Sequence, residues 1–138
     1  MKQSVIIDTG VLVAYLNRRD EFHDWAKDQL KKIPPPLITC EAVIAESCFL
    51  MSSIRGGTEK VLELLETGMI VIPFRLQDEM KIIKELMLRY VNVPMSFADA
   101  CLVRMSEQHS ESTVLTIDSD FRIYRKNRRQ VISVITPK

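Results

Sequence analysis

Residues 4–16 read SVIIDTGVLVAYL, and the fold follows from how this stretch is read. Three branched apolar residues, Val5, Ile6 and Ile7, run straight into Asp8; Thr9 and Gly10 make a turn, and Val11 to Leu16 continue as an apolar helical run. A carboxylate between two apolar segments is costly to desolvate unless a cation or hydrogen-bond donors receive it. In an open parallel sheet, ligands bind at the carboxyl ends of the strands. Asp8 is therefore a candidate wall of an acidic metal site. Taken alone, it is equally a turn or capping aspartate that accepts backbone N–H bonds.

Outward from this stretch, strands and helices alternate. Asp20 can cap a helix carrying Phe22, Trp25, Ala26 and Leu30 on one face, and Pro34 to Pro36 end it. Leu37 and Ile38 make a short strand, and Thr39 is a plausible cap for the helix CEAVIAESCFLMSSI, which Gly56 and Gly57 stop. Thr58 starts EKVLELLET, closed by Gly68, and Met69 to Pro73 is a third strand. A long amphipathic helix covers Leu76 to Tyr90, and Ser96 opens another, FADACLVRMSEQH. Thr113 to Ile117 is a fourth strand, Asp118 to Tyr124 a short helical turn, and Val131 to Ile135 a last strand. This order predicts an α/β sandwich: a mainly parallel sheet of about five strands, buried on both faces by helices. Residues 1–138 are expected to form a single domain.

The composition is that of an ordinary globular protein, 46% apolar and 27% charged. A net charge of +1 excludes a wholesale nucleic-acid-coating protein and leaves room only for a local basic patch. Cys40, Cys48 and Cys101 have no CxxC spacing and read as reduced core thiols. Lys2 before an apolar run raises the question of a signal peptide, but Asp8 interrupts that run and no small-residue cleavage site follows. No stretch reaches the roughly 18 apolar residues of a membrane span. The expected location is the cytoplasm.

Four acids break the pattern of solvated faces. Asp118 follows the fourth strand as Asp8 follows the first. Glu46 sits mid-helix with Ala42, Val43, Phe49 and Leu50 at three- and four-residue spacing, which suggests an inward position, as a metal ligand or in a buried ion pair. Asp99 lies three residues after Ser96, the spacing of a capping box, with Leu102 and Val103 on its side. Asp120 is either a further ligand or a cap. If the first and fourth strands are neighbours, these acids converge at one sheet edge. Carboxylates without histidine or cysteine suit Mg²⁺ or Mn²⁺. Neither His23 nor His109 is placed as a ligand.

The stretches VIIDTGVLVAYLN, CEAVIAESCFL, SFADACLVRM and VLTIDSDF, carrying Asp8, Glu46, Asp99, Asp118 and Asp120 in that order, resemble the PIN-domain family, and in size its VapC-like toxin ribonucleases. The resemblance spans nearly the whole chain. It implies a three-layer Rossmann-like fold and a Mg²⁺- or Mn²⁺-dependent endoribonuclease, the toxin of a toxin–antitoxin pair. It also implies an RNA substrate, a small antitoxin as partner, and a homodimer. Asp8, Glu46, Asp99 and Asp118 would then be the catalytic and metal-holding acids, with Asp120 an additional candidate. One departure is Gly10, where many relatives carry Asn or Ser.

An acidic cleft repels RNA, so cations must stand nearby. Residues 122–129 read RIYRKNRR, and Arg122, Arg125, Lys126, Arg128 and Arg129 are RNA-contact candidates, as are Arg18 and Arg19. The same run also reads as a solvated loop. The triplet Asp8-Thr9-Gly10 matches that of aspartic proteases, but their fold is nearly all β, and this chain has at least five helical segments. A receiver domain would need a lysine after a late strand, and Gly56-Gly57 lacks the phosphate-loop pattern. A DNA flap nuclease would need insertions that 138 residues do not hold. The alternative kept open is a PIN-like module that binds RNA or protein without cutting.

Overall fold

In the computed structural model, which describes residues 3–137, the strand that leads into Asp8 is the middle of the sheet. Lys2 lies outside the described residues. The chain runs β1 (Ser4–Ile7), α1 (Thr9–Leu16), α2 (His23–Lys32), β2 (Leu37–Ile38), α3 (Glu41–Met51), α4 (Gly57–Glu66) and β3 (Ile70–Val71). It continues through α5 (Leu76–Arg89), α6 (Phe97–Gln108), β4 (Ser112–Leu115), a 3₁₀ turn (Ser119–Arg122), β5 (Arg125–Lys126), β6 (Gln130–Val131) and β7 (Val134–Ile135). The strand order is β3-β2-β1-β4-β7, and every pairing in this sheet is parallel. The expected parallel sheet of five strands flanked by helices is therefore present.

This order fixes the site. From β1 the chain winds outward to β2 and β3, then returns to lay β4 on the other side of β1. The connections leaving β1 and β4 part in opposite directions, so a crevice opens beyond the carboxyl ends of these two strands. β1 is paired on both edges and covered on both faces, so Ile6 and Ile7 are fully buried. α1 packs against both α2 and α3. That is why it is apolar all round, with Val11, Leu12 and Ala14 fully buried.

Several boundaries differ from expectation for local reasons. Asp20 accepts a bond from the Phe22 backbone N–H at 2.9 Å but caps a turn, and α2 starts only at His23. Thr39 does not cap α3: its hydroxyl donates to the Ile7 carbonyl at 2.8 Å, tying β2 to β1, and Cys40 takes the cap position without a side-chain bond. The stretch read as one strand from Val131 to Ile135 is divided, Gln130–Val131 pairing antiparallel with β5 and Val134–Ile135 parallel with β4. Cys40 and Cys101 are buried, and all three cysteines are free thiols. Among the described residues no helix is long and apolar enough to cross a membrane.

Gly10 is explained by its neighbour. A Cβ there would stand 2.8 Å from Cγ1 and 2.9 Å from Cδ1 of Ile117, so Ile117 fills the space a side chain at position 10 would need. Crowding of this kind costs about 1–3 kcal/mol. We expect Gly10→Ser to destabilise by about that much, and the added Ile117→Ala change to relieve it, giving a coupling of at least about 0.5 kcal/mol in a urea-denaturation double-mutant cycle. Simple additivity would show that the two positions do not compete for space.

Candidate metal centre

One step beyond the register pair Ile7–Leu115 brings Asp8 level with Thr116 on the neighbouring strand. The Asp8 backbone N–H donates to the Leu115 carbonyl at 3.1 Å, continuing the ladder, and the Thr116 hydroxyl donates to Asp8 Oδ2 at 2.8 Å. Asp8 Oδ1 accepts from the Thr9 backbone N–H at 2.7 Å, as the cap of α1. The Thr116 oxygen in turn accepts the Asp118 N–H at 2.9 Å. One hydroxyl thus spans the two strand-end aspartates.

Asp99 arrives from α6. The expected capping box is present in full: its N–H donates to Ser96 Oγ at 3.0 Å, and its Oδ2 accepts the Ser96 N–H at 3.3 Å. The box therefore aims this carboxylate rather than competing with a role in the site. Carboxylate oxygens of Asp8, Asp99 and Asp118 lie within 4.8 Å of one another. Asp8 is 7% exposed and Asp99 9%. Among the described residues, the hydrogen bonds they accept come from hydroxyls and backbone N–H groups, and no salt bridge to any of the three is found.

The electrostatic consequence is strong. Burial raises the Asp8 carboxyl from 3.8 to about 7, with the negative charges of Asp99 and Asp118 adding to it and the Thr116 and Thr9 bonds opposing it. Burial also raises Asp99, against the lowering bonds from Tyr124 and Ser96. The donor set fits a hard divalent cation: it is all oxygen and convergent.

Glu46 does not join the three. It is exposed, as are its neighbours Ala45, Phe49 and Leu50, because α3 turns this side to solvent instead of to the core. It still reaches the rim, where its Oε1 accepts the Thr9 hydroxyl at 2.6 Å. Asp120 is absent from the cluster; its backbone N–H donates to Asp118 Oδ1 at 2.9 Å, which holds Asp118 in place. His23 donates from Nδ1 to the Ala14 carbonyl, and His109 caps the end of α6.

The sequence reading missed Tyr124. At the end of the short helical turn and inside the basic run it was given no role in the site, yet it is fully buried, packed edge-on against Phe121 and Tyr90 at centroid distances of 5.3 and 5.1 Å. Its hydroxyl donates to Asp99 Oδ2 at 3.0 Å, and burial plus the Asp99 charge push its pKa well up, so it stays a donor. The one available signal was its three-residue spacing from Phe121 on a short helical turn.

The basic run is not a loose loop. It forms the β5–β6 hairpin, turning through Asn127 and Arg128 at φ 50° and 71°. Arg125 Nη1 donates to the carbonyls of Arg122, Ile123 and Tyr124, and Lys126 Nζ to that of Ser110. Two of the expected RNA-contact cations thus also hold backbone.

The PIN domain model matches residues 5–127 of this chain. The fold is similar to that of VapC20 from Mycobacterium tuberculosis, a toxin that cleaves the sarcin–ricin loop, with a TM-score of 0.77 at 20% identity, over 85% of this chain and 92% of that one. No curated protein sequence matches it.

A stability dependence follows from the buried carboxylates. An acid with a folded-state pKa above its unfolded value binds more protons when folded, so stability present below pH 4 is lost as pH rises toward 7. Without divalent metal, the protein should be less stable at pH 8 than at pH 5, by about 2–3 kcal/mol from Asp8, with Asp99 acting in the same direction. Denaturant melts at both pH values should show the difference shrinking in Asp8→Asn. An unchanged difference in that variant would rule out desolvation of Asp8 as the source.

Proposed function

Since the chain belongs to the PIN-domain family, we propose that its three-aspartate crevice is the centre of a divalent-metal-dependent endoribonuclease, the toxin of a toxin–antitoxin pair acting in the cytoplasm. The observation that carries this reading is the convergence of three carboxylates within 4.8 Å at the sheet's switch point. In this reading residues 1–138 are one PIN-like domain, and a small antitoxin and a second copy of the chain are its partners.

Asp8, Asp99 and Asp118 would hold one or two Mg²⁺ or Mn²⁺ ions, with Glu46 a fourth acid at the rim and Asp120 acting through Asp118. Such an ion supplies Lewis acidity toward a phosphodiester and lowers the pKa of water. The protein's own part is to fix the donors in advance. Thr116 and the Thr9 N–H leave Asp8 no freedom to rotate, and Tyr124 and Ser96 do the same for Asp99. Burial keeps water from screening these charges, so they act strongly on whatever cation and phosphate arrive. Glu46, exposed and held by a single hydroxyl, is the acid free to change partners when RNA enters, and so a candidate base for the attacking water.

The purified chain should cut RNA with Mg²⁺ or Mn²⁺ and stop in EDTA. Asp8→Asn, Asp99→Asn and Asp118→Asn should fold and bind RNA but lose cleavage, while Thr116→Val and Tyr124→Phe, acting through the aspartates, should lose about 10–100-fold. An Asp8→Asn protein that cuts as fast as the parent would refute the site. RNA binding with no cleavage by the parent under any metal would favour a non-cutting module.

A further inference from the structure

At the opposite end of α1 from the aspartates, a cleft of about 410 Å³ opens between the end of α1, α2, α4 and the residue before β3. The eight residues of α1 separate the two places by roughly 12 Å along its axis. Arg18, His23, Lys27, Lys31 and Lys60 all line the cleft, and among the described residues no acidic one does. His23, Lys27 and Lys31 stand at successive four-residue steps of α2, one line along the helix. Like charges at that spacing destabilise a helix unless something offsets them.

The end of α2 favours Lys31 through the helix dipole, but no ion pair among the described residues neutralises the group. Among those residues Arg18, Lys27, Lys31 and Lys60 make no side-chain hydrogen bond or ion pair, and all four are exposed. This gathers four unneutralised cations around one hollow in a chain of net charge +1. Glu63 faces the adjoining hollow and pairs with none of them. A concave site lined by one sign of charge concentrates ligands of the other sign.

The lining also narrows the ligand. Three of the four cations are lysines, compact point charges suited to a multiply charged phosphate, whereas carboxylates are matched best by the planar fork of arginine. Tyr15 and Met69 add apolar surface beside the charges, and the volume is that of a small-ligand pocket. We propose that this cleft is a phosphate-recognition site for a nucleotide, separate from the aspartates, with the lysines on the phosphates and Tyr15 beside the base. The nucleotide is either a free nucleoside polyphosphate or one unit of an RNA strand.

The test uses the full chain in EDTA, so that cleavage plays no part and the outcome is independent of the endonuclease reading. A labelled nucleoside triphosphate, inorganic tripolyphosphate, a single-stranded RNA and a polyglutamate peptide are each titrated by fluorescence anisotropy. The parent is compared with Lys27→Ala/Lys31→Ala/Lys60→Ala, whose exposed substitutions leave the circular dichroism spectrum unchanged. Binding of the triphosphate and tripolyphosphate, weakened at least tenfold in the triple variant, supports the site and assigns it to a free nucleotide. Binding of RNA alone, with the log–log salt slope reduced by about 2 in the variant, supports it and assigns it to the strand. Phosphate probes that bind both proteins equally, or bind neither, overturn the proposal, as does a site filled by polyglutamate and by no phosphate probe.

Discussion

The structure depends on one costly placement, an aspartate at the carboxyl end of the central strand, 7% exposed and with no counter-ion among the described residues. A buried, ionised carboxylate is tolerated only where donors surround it. The chain supplies two of them, the Thr9 N–H and the Thr116 hydroxyl, and each comes from a feature of the fold. The first belongs to the start of α1 and the second to the parallel register of β1 and β4. The two donors do not cancel the burial, which leaves Asp8 raised. A crevice poised in this way gains most from a cation.

The packing around the crevice serves the same end. Gly10 and Ile117 share one space, which lets α1 start close against the residue that precedes Asp118. Phe121 and Tyr124 are fully buried and packed edge-on, with the half-buried Tyr90 on the other side of Tyr124, and the Tyr124 hydroxyl is aimed at the Asp99 carboxylate. Arg125 ties down the carbonyls that follow the 3₁₀ turn and so holds Tyr124 in place. Stability and site geometry are therefore not separable here: the residues that fill the core also orient the acids.

Much of this was legible in the chain. The alternation of strands and helices gave the parallel sheet, and carboxylates interrupting apolar runs identified Asp8 and Asp118. The spacing from Ser96 to Asp99 gave the capping box. Glu46 was misplaced because apolar neighbours at helical spacing do not imply burial when the helix lies at the surface, where Phe49 is 76% exposed. Thr39 was misassigned because a threonine before a helix can cap it or bond across the sheet, and the β1–β2 register decided for the sheet. Tyr124 was hidden by the charge of its neighbours.

By itself the sequence determined the fold class and the family resemblance, and offered Asp8, Asp99 and Asp118 among five candidate acids, since periodicity and the cost of burying charge are local properties of the chain. Tertiary structure alone decided the rest. Strand order placed β4 beside β1, so that residues more than a hundred positions apart came to share a hydroxyl. Long-range packing put Tyr124 under Asp99, and it collected Arg18, Lys27, Lys31 and Lys60 around one hollow. The physical reason is the same in each case: contacts between distant segments depend on register and chain path, which no window of sequence contains.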